Sequence, residues 1–100
     1  MKAIKFEGRV VSEIEIENTL EALQTAVGGY IETVTLIPDN AVMIVNEEGL
    51  LRGMSPNPAA SLVARTKIVG PAIIVGVDGE KFTDISEDIE HFINSNLMLE

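Results

Sequence analysis

Short runs in which apolar and polar residues alternate are the feature that most constrains the fold of this chain. Over residues 10–16 every second position lies on the same side of an extended chain, so Ile14 falls on a mostly apolar face and Glu15 on a mostly acidic one. This period of two is typical of a strand in a sheet with one wet face. Residues 2–6 show the same period, and Gly8 lies in the turn that we expect between the two strands.

Three further runs are rich in β-branched residues and predict strands at Tyr30–Ile37, Ala41–Val45 and Ala72–Val77. The first two are separated by a turn sequence, so we expect them to form a hairpin. A turn signal at Asp78 and Gly79 follows the third, and Lys81–Thr83 is expected to return as a short strand. The segment Leu50–Met54 fits either a short strand or a loop.

Capping residues mark two short helices. Asn18 is a suitable N-cap for the apolar stripe that follows it, and Gly28 can close the last turn in the left-handed conformation. Asn57 is a suitable N-cap for a helix over Ala59–Arg65, because Pro58 then stands at the first helical position, where proline is tolerated. Helices this short are marginal alone, so we expect both to pack on the sheet.

A third helix is predicted over residues 85–97, where apolar residues repeat at helical spacing and form one continuous face. The residues of that face are Ile85, Ile89, Phe92, Ile93 and Leu97. Ser86 or Asp84 can cap the start of the helix. Together these elements predict one α+β domain over residues 1–100, with a mainly antiparallel small sheet of about five to seven short strands and three helices.

The balance of charge argues against several kinds of partner. The 100 residues carry 16 acidic and 7 basic side chains, a formal net charge of −9 at pH 7. Such a surface repels phosphate backbones and anionic lipids, so we expect neither nucleic-acid nor membrane binding. No apolar run approaches the roughly 18–20 residues of a membrane span, and no secretion signal is seen, so the expected location is the cytoplasm.

The sequence shows no pattern typical of catalysis or metal binding. The chain has no cysteine, and its one histidine, His91, lies at the edge of the predicted apolar face or outside it. A nucleophile would therefore lack an obvious base, and zinc would lack ligands. Acidic segments such as residues 78–80 do not have the ordered spacing of a calcium loop. We expect no catalysis, no bound metal and no cofactor.

One segment departs from the acidic character of the rest. Residues 41–70 hold Arg52, Arg65 and Lys67 against Glu47 and Glu48, a balance of +1. The same segment contains the helix start at Asn57, and a helix N-terminus with arginines nearby favours a bound anion. The alternative is that Arg65 and Lys67 only complement the C-terminal end of their own helix.

Four separated motifs occur in register, and they are VGGYIETV (residues 27–34), VNEEGLLRG (45–53), NPAAS (57–61) and IVGPAIIVG (68–76). Over roughly residues 1–83 the chain resembles a family of small bacterial and bacteriophage proteins that is described as a domain of unknown function. The resemblance implies a phage or mobile-element origin and brings no assigned catalytic residues. By analogy with other small acidic phage proteins, it suggests an oligomeric inhibitor of host immunity.

The first functional hypothesis is an anti-defence protein that sequesters a small, phosphorylated, nucleotide-like signal without catalysis. The candidate contacts are Arg52 and Arg65 for phosphates, Asn57 with the backbone N–H groups after it, Tyr30 for stacking on a base, and Asn46 and Glu47 for hydroxyls or a base edge. Structural alternatives stay open, because Tyr30 also fits a sheet face and Asn46 also fits a turn cap. We expect a homo-oligomer, paired through a flat strand such as Tyr30–Ile37 or Ala72–Val77.

The second hypothesis is an acidic inhibitor that mimics the charge of nucleic acid and binds a basic host protein. It would use Glu13, Glu15 and Glu17 on one strand face and the outer face of residues 86–95. An enzyme acting on a small nucleotide or peptide is the weakest of the three hypotheses, because the only histidine is poorly placed.

Overall fold

The computed structural model describes residues 1–36 and 40–96. Over these residues the chain forms, in order, β1 (Lys2–Glu7), β2 (Val10–Glu15), α1 (Leu20–Val27), β3 (Ile31–Thr35), β4 (Ala41–Asn46), α2 (Pro58–Ala64), β5 (Ala72–Asp78), β6 (Lys81–Thr83) and α3 (Glu87–Asn96). The predicted α+β class, with a small antiparallel sheet and three helices, is confirmed. Ile37, Pro38, Asp39 and Leu97, which fell in the predicted elements, lie outside the described residues.

The described strands form one antiparallel sheet in the order β2-β1-β5-β4-β3, with β6 paired to β5. Strand β5 lies at the centre, with β4 along one side and β1 followed by β6 along the other. The prediction that Ala72–Val77 pairs with the same strand of another copy is therefore wrong, because both edges of this strand are already paired within the sheet. The predicted hairpin of β3 and β4 is confirmed.

Helices cover both faces of the sheet, which explains why β5 is apolar at consecutive positions. On one face α1 packs Leu23 and Val27 against the centre of the sheet, where Ile73 is fully buried. On the other face α2 and α3 pack over side chains that include Phe6 and Ile74. The core therefore consists of two apolar layers with the sheet between them.

The start of α1 differs from the prediction. Thr19, not Asn18, is the N-cap, and its side chain accepts a hydrogen bond from the backbone N–H of Ala22. The Asn18 side chain instead donates to the carbonyl oxygen of Phe82 at 2.8 Å. Gly28 ends the helix as predicted, with φ of 83°.

The apolar face of α3 is less covered than its periodicity predicts. The helix begins at Glu87, and the hydroxyl of Ser86 caps it by accepting from the backbone N–H of Ile89. Ile89 and Ile93 are buried, but the side chain of Phe92 is 53% exposed. The segment Leu50–Met54 is a series of turns rather than a strand, with the N–H of Arg52 bonded to the carbonyl of Glu48.

Candidate functional site

Two buried asparagines of the sequence motifs, Asn46 and Asn57, hold separate segments of the fold together. Asn46, at the end of β4, is 5% exposed. Its amide donates to the carbonyl of Val27 at 3.1 Å, and its Oδ1 accepts from the N–H of Glu48 at 2.8 Å. Gly29 packs so closely on this amide that a Cβ there would lie 2.9 Å from Nδ2. Asn46 thus joins α1 to the loop after β4. This is the structural role, that of a turn cap, which the sequence also allowed for it.

Asn57 is the second such junction and is 2% exposed. Its Nδ2 donates to the carbonyl of Phe6 at 3.0 Å and to that of Gly70 at 2.8 Å. Its Oδ1 accepts from the N–H of Ala60 at 3.3 Å, as predicted for an N-cap. Both amide hydrogens are used inside the fold, so the side chain has no donor left for a ligand.

The other four candidate residues are exposed but do not converge on one pocket. The Tyr30 side chain is free to stack, although its backbone carbonyl is tied to the N–H of Glu47. Arg52 lies in the loop, with Nη2 3.7 Å from Glu48 Oε1. Arg65 is the C-cap of α2, at the opposite end of that helix from Asn57, with φ of 57°.

The predicted anion site at the start of α2 is therefore not assembled. The helix has only seven residues, and its N-cap position is filled by the buried Asn57. Arg65 lines a different cavity, described below, and Arg52 faces a carboxylate. Spacing along the chain suggested a cluster of positive charge that the folded chain does not form.

A small cleft of about 230 Å³ contains two of the six candidates, Asn46 and Glu47. Glu32, Thr66 and Lys67 also line it. Two carboxylates against one ammonium give this cleft a negative balance, which opposes the binding of a phosphate. The cleft is therefore poorly suited to the ligand that its residues were predicted to bind.

The structure brings together two acidic segments that lie far apart in the sequence. Lys2 of β1 connects them, because its Nζ lies 3.6 Å from Glu13 Oε1 of β2 and 2.5 Å from Glu90 Oε2 of α3. Its backbone N–H also donates to Asp84 Oδ1 at 2.7 Å. Glu15 stands directly opposite Lys2 in the strand pair, so the two side chains share a face.

We call this surface the acidic face and define it by Glu13, Glu15, Asp84, Glu87 and Glu90. A shallow cavity of about 510 Å³ lies on it, lined by Lys2, Glu87 and Glu90 together with Asp88, His91 and Asn94. The hydrogen bond to Glu90, helped by the charge of Glu13, raises the pKa of Lys2 above its ordinary value of 10.5. The N-terminal ammonium of Met1 also lies on this surface, 3.4 Å from Glu15 Oε2, so two ammonium groups stand against five carboxylates.

The sequence predicted an acidic surface from Glu13, Glu15 and the outer face of residues 86–95, but it did not show that these residues adjoin. It missed Lys2 and Asp84, which join them, because no local signal shows which strand lies beside which helix. It also included Glu17, which lies beyond the end of β2 at Glu15. His91 is exposed, as predicted from its position on the helix.

An apolar groove of about 660 Å³ lies between α2 and α3. Its lining includes the buried Ile74, Ile89 and Ile93 and the exposed side chains of Leu62 and Phe92. Arg65 and Asp88 are the charged residues on its lining.

Within residues 1–36 and 40–96, no three acidic or histidine side chains gather as a metal site would require. No helix in this part of the chain is long and apolar enough to cross a membrane.

These features define a small three-layered α+β domain with an antiparallel sheet between its helices and an acidic face on one side. The chain matches the family described as Domain of unknown function (DUF3846) over residues 1–96, and it belongs to that family. The match includes α3, which the resemblance seen in the sequence left out. No curated protein and no solved structure matches the chain.

Proposed function

We propose that this domain is a non-catalytic binding protein that holds a basic protein partner on its acidic face. The observation that carries the proposal is the position of Lys2 between Glu13 and Glu90, which makes one surface out of two acidic segments. A partner that presents several Lys or Arg side chains would meet five carboxylates together rather than scattered single charges. This is the second of the sequence hypotheses, in a more definite form.

The charge of the whole domain supports the same function. A net charge of −9 on a small domain creates a long-range negative potential, which speeds the approach of a basic partner. Contacts between exposed charges are individually weak, so affinity must come from several acting together. Binding is therefore expected to weaken as salt is added, because exposed charges are screened over about 8–10 Å at physiological ionic strength.

A direct test uses a fluorescent polyarginine peptide as the probe and fluorescence anisotropy as the measurement. The face variant replaces Glu13, Glu15 and Glu87 by Gln. The control variant replaces Glu21, Glu32 and Glu47 by Gln, and these exposed carboxylates lie on α1, on β3 and in the loop after β4. Both variants lose three negative charges, so they differ only in where the charge is lost.

The face variant is expected to bind the probe about 10-fold more weakly, because exposed pairs contribute roughly 0.2–1 kcal/mol each and three of about 0.5 kcal/mol sum to about 1.5 kcal/mol. The control variant is expected to lose about threefold or less, from the lower net charge alone. Equal losses in the two variants would show that net charge, and not the acidic face, binds the probe, and the proposal would be wrong.

Capture of a small nucleotide-like signal stays a prediction, as do the phage origin and the anti-defence role that the resemblance implies. Its candidate residues give it little support, since Asn46 and Asn57 are used by the fold, Arg52 lies beside Glu48, and Arg65 lines the groove between α2 and α3. Thermal unfolding with a panel of cyclic and linear nucleotides tests it. A rise in Tm that Arg65→Ala abolishes would support capture, and no rise with any nucleotide would contradict it.

A further inference from the structure

The groove between α2 and α3 is an apolar surface that the described chain leaves uncovered. Leu62 of α2 is 70% exposed and Phe92 of α3 is 53% exposed, and both line the groove. Beneath them Ile74 and Ile93 are fully buried. Two large apolar side chains from two different helices therefore reach solvent beside the core, which is typical of an interaction surface.

The sequence of α3 supports the same interpretation. Its apolar positions form a stripe that includes Phe92, so the helix is patterned for burial over a wider face than the domain itself provides. The sheet and α2 bury Ile89 and Ile93 but leave Phe92 half open. The apolar stripe is therefore wider than the cover that residues 1–36 and 40–96 of one copy provide.

The charges on the groove indicate what covers it. Arg65 at the C-terminal end of α2 and Asp88 in the first turn of α3 stand on different walls. Among the described residues neither forms an ion pair within the chain. The two charges make the groove self-complementary: in a two-fold dimer where Arg65 meets Asp88 of the other copy, the reciprocal pair forms as well, because contacts in a symmetric interface are made twice.

We propose that the groove is the interface of a two-fold homodimer, in which Phe92 and Leu62 of each copy fill the groove of the other and two Arg65–Asp88 pairs close its rim. A basic or neutral peptide fits this surface less well, because the groove already carries one charge of each sign. The five carboxylates that define the acidic face do not line the groove, although Asp88 also lines the cavity on that face. The proposed interface does not rest on the proposed partner binding.

Sedimentation velocity of the full chain over a range of concentrations tests the interface. At high concentration the wild type is expected to sediment with a mass twice the 10.8 kDa of one chain. Phe92→Ser is expected to raise the dissociation constant by about 10-fold to 100-fold, because it removes an apolar side chain from the interface centre. Leu51→Ser is the matched control, since Leu51 is 88% exposed in the loop after β4, away from the groove. It is expected to leave the dimer unchanged.

Charge reversal distinguishes a second copy from any other occupant. R65D alone and D88R alone each set like charges against each other in a homodimer, so each variant is expected to be monomeric. A mixture of the two variants restores both pairs and is expected to regain the dimer mass. Aspartate tolerates the left-handed backbone found at position 65, so R65D is expected to fold.

Three results would overturn the proposal. The first is a wild type that stays monomeric up to about 1 mM, where even a dissociation constant of 1 mM would show association. A dimer that survives both Phe92→Ser and R65D would use another surface. Two monomeric single variants that do not associate on mixing would rule out the two-fold pairing.

Discussion

Replacing Asn57 by alanine removes a buried junction between three segments of the chain. The Asn57 side chain is 2% exposed and links the start of α2 to the carbonyls of Phe6 in β1 and Gly70 before β5. Phe6 is 51 residues away along the sequence, so this contact is purely tertiary. The substitution leaves two carbonyl oxygens without their amide donor and leaves α2 without its N-cap.

The expected loss of unfolding free energy is about 3 kcal/mol. Loss of an N-cap side chain costs about 1 kcal/mol. Each carbonyl that loses a buried hydrogen bond adds about 1 kcal/mol. For a domain of this size, about 3 kcal/mol corresponds to a fall in Tm of about 12–24 °C. Since a small domain has about 5–15 kcal/mol in total, the variant is expected to fold at low temperature.

Equilibrium unfolding in urea, followed by circular dichroism, measures this loss, with Asn18→Ala as the matched control. Asn18 makes one exposed hydrogen bond to a backbone carbonyl, so its removal is expected to cost less than about 1 kcal/mol. Asn57→Asp is expected to be at least as damaging as alanine at neutral pH. It keeps the oxygen that caps α2 but sets a carboxylate against the carbonyls of Phe6 and Gly70.

A loss below about 1 kcal/mol for Asn57→Ala would refute this reasoning. Asn57 would then be dispensable to the fold, and its assignment as a ligand contact would become attractive again. Residues that serve a ligand are often neutral or even stabilising when replaced, because function and stability compete at binding sites.

Two other substitutions test the packing and the charge of the domain. Gly76→Ala is expected to cost about 2–3 kcal/mol in urea unfolding, because a Cβ there would meet the backbone oxygen of Asp84, which cannot easily move; a loss below about 0.5 kcal/mol would contradict this packing. Lys2→Met is expected to lower Tm at neutral pH, because the raised pKa of Lys2 means that its charged form stabilises the folded state. This difference from wild type should be complete below pH 10.5 and shrink as the pH rises above it, and a difference that is constant up to pH 12 would show that charge is not the cause.

The features of the fold that depend only on residues close together in the sequence could be predicted. The alternation in residues 10–16 gave a strand close to the observed Val10–Glu15, and Gly28 ends α1 as expected. The N-cap role of Asn57 was also predicted correctly. These signals are local, because caps, turns and the period of a strand act over a few residues.

The candidate site could be predicted much less well, because its geometry depends on pairing between distant segments. The Asn57 amide donates to the carbonyls of Phe6 and Gly70, and neither partner can be identified from the sequence around Asn57. Arg52 and Arg65 share a segment of the sequence, yet Arg52 lies beside Glu48 in the loop after β4 and Arg65 lines the groove between α2 and α3. For the acidic face the sequence misleads in the other direction, because residues that are far apart along the chain lie together in the fold. Lys2 contacts both Glu13 and Glu90.

The position of β5 at the centre of the sheet also affects the order in which the chain can fold. The β1–β2 and β3–β4 hairpins each join residues close in sequence, but β5 lies between them. It pairs residues as distant as Ile4 and Ile74, and such long closures slow folding. We therefore expect two separate hairpins to form early and to stay apart until residues 72–78 insert between them. During that interval each hairpin exposes strand edges to other chains. We expect the net charge of −9 to oppose their aggregation, because chains of like charge repel one another.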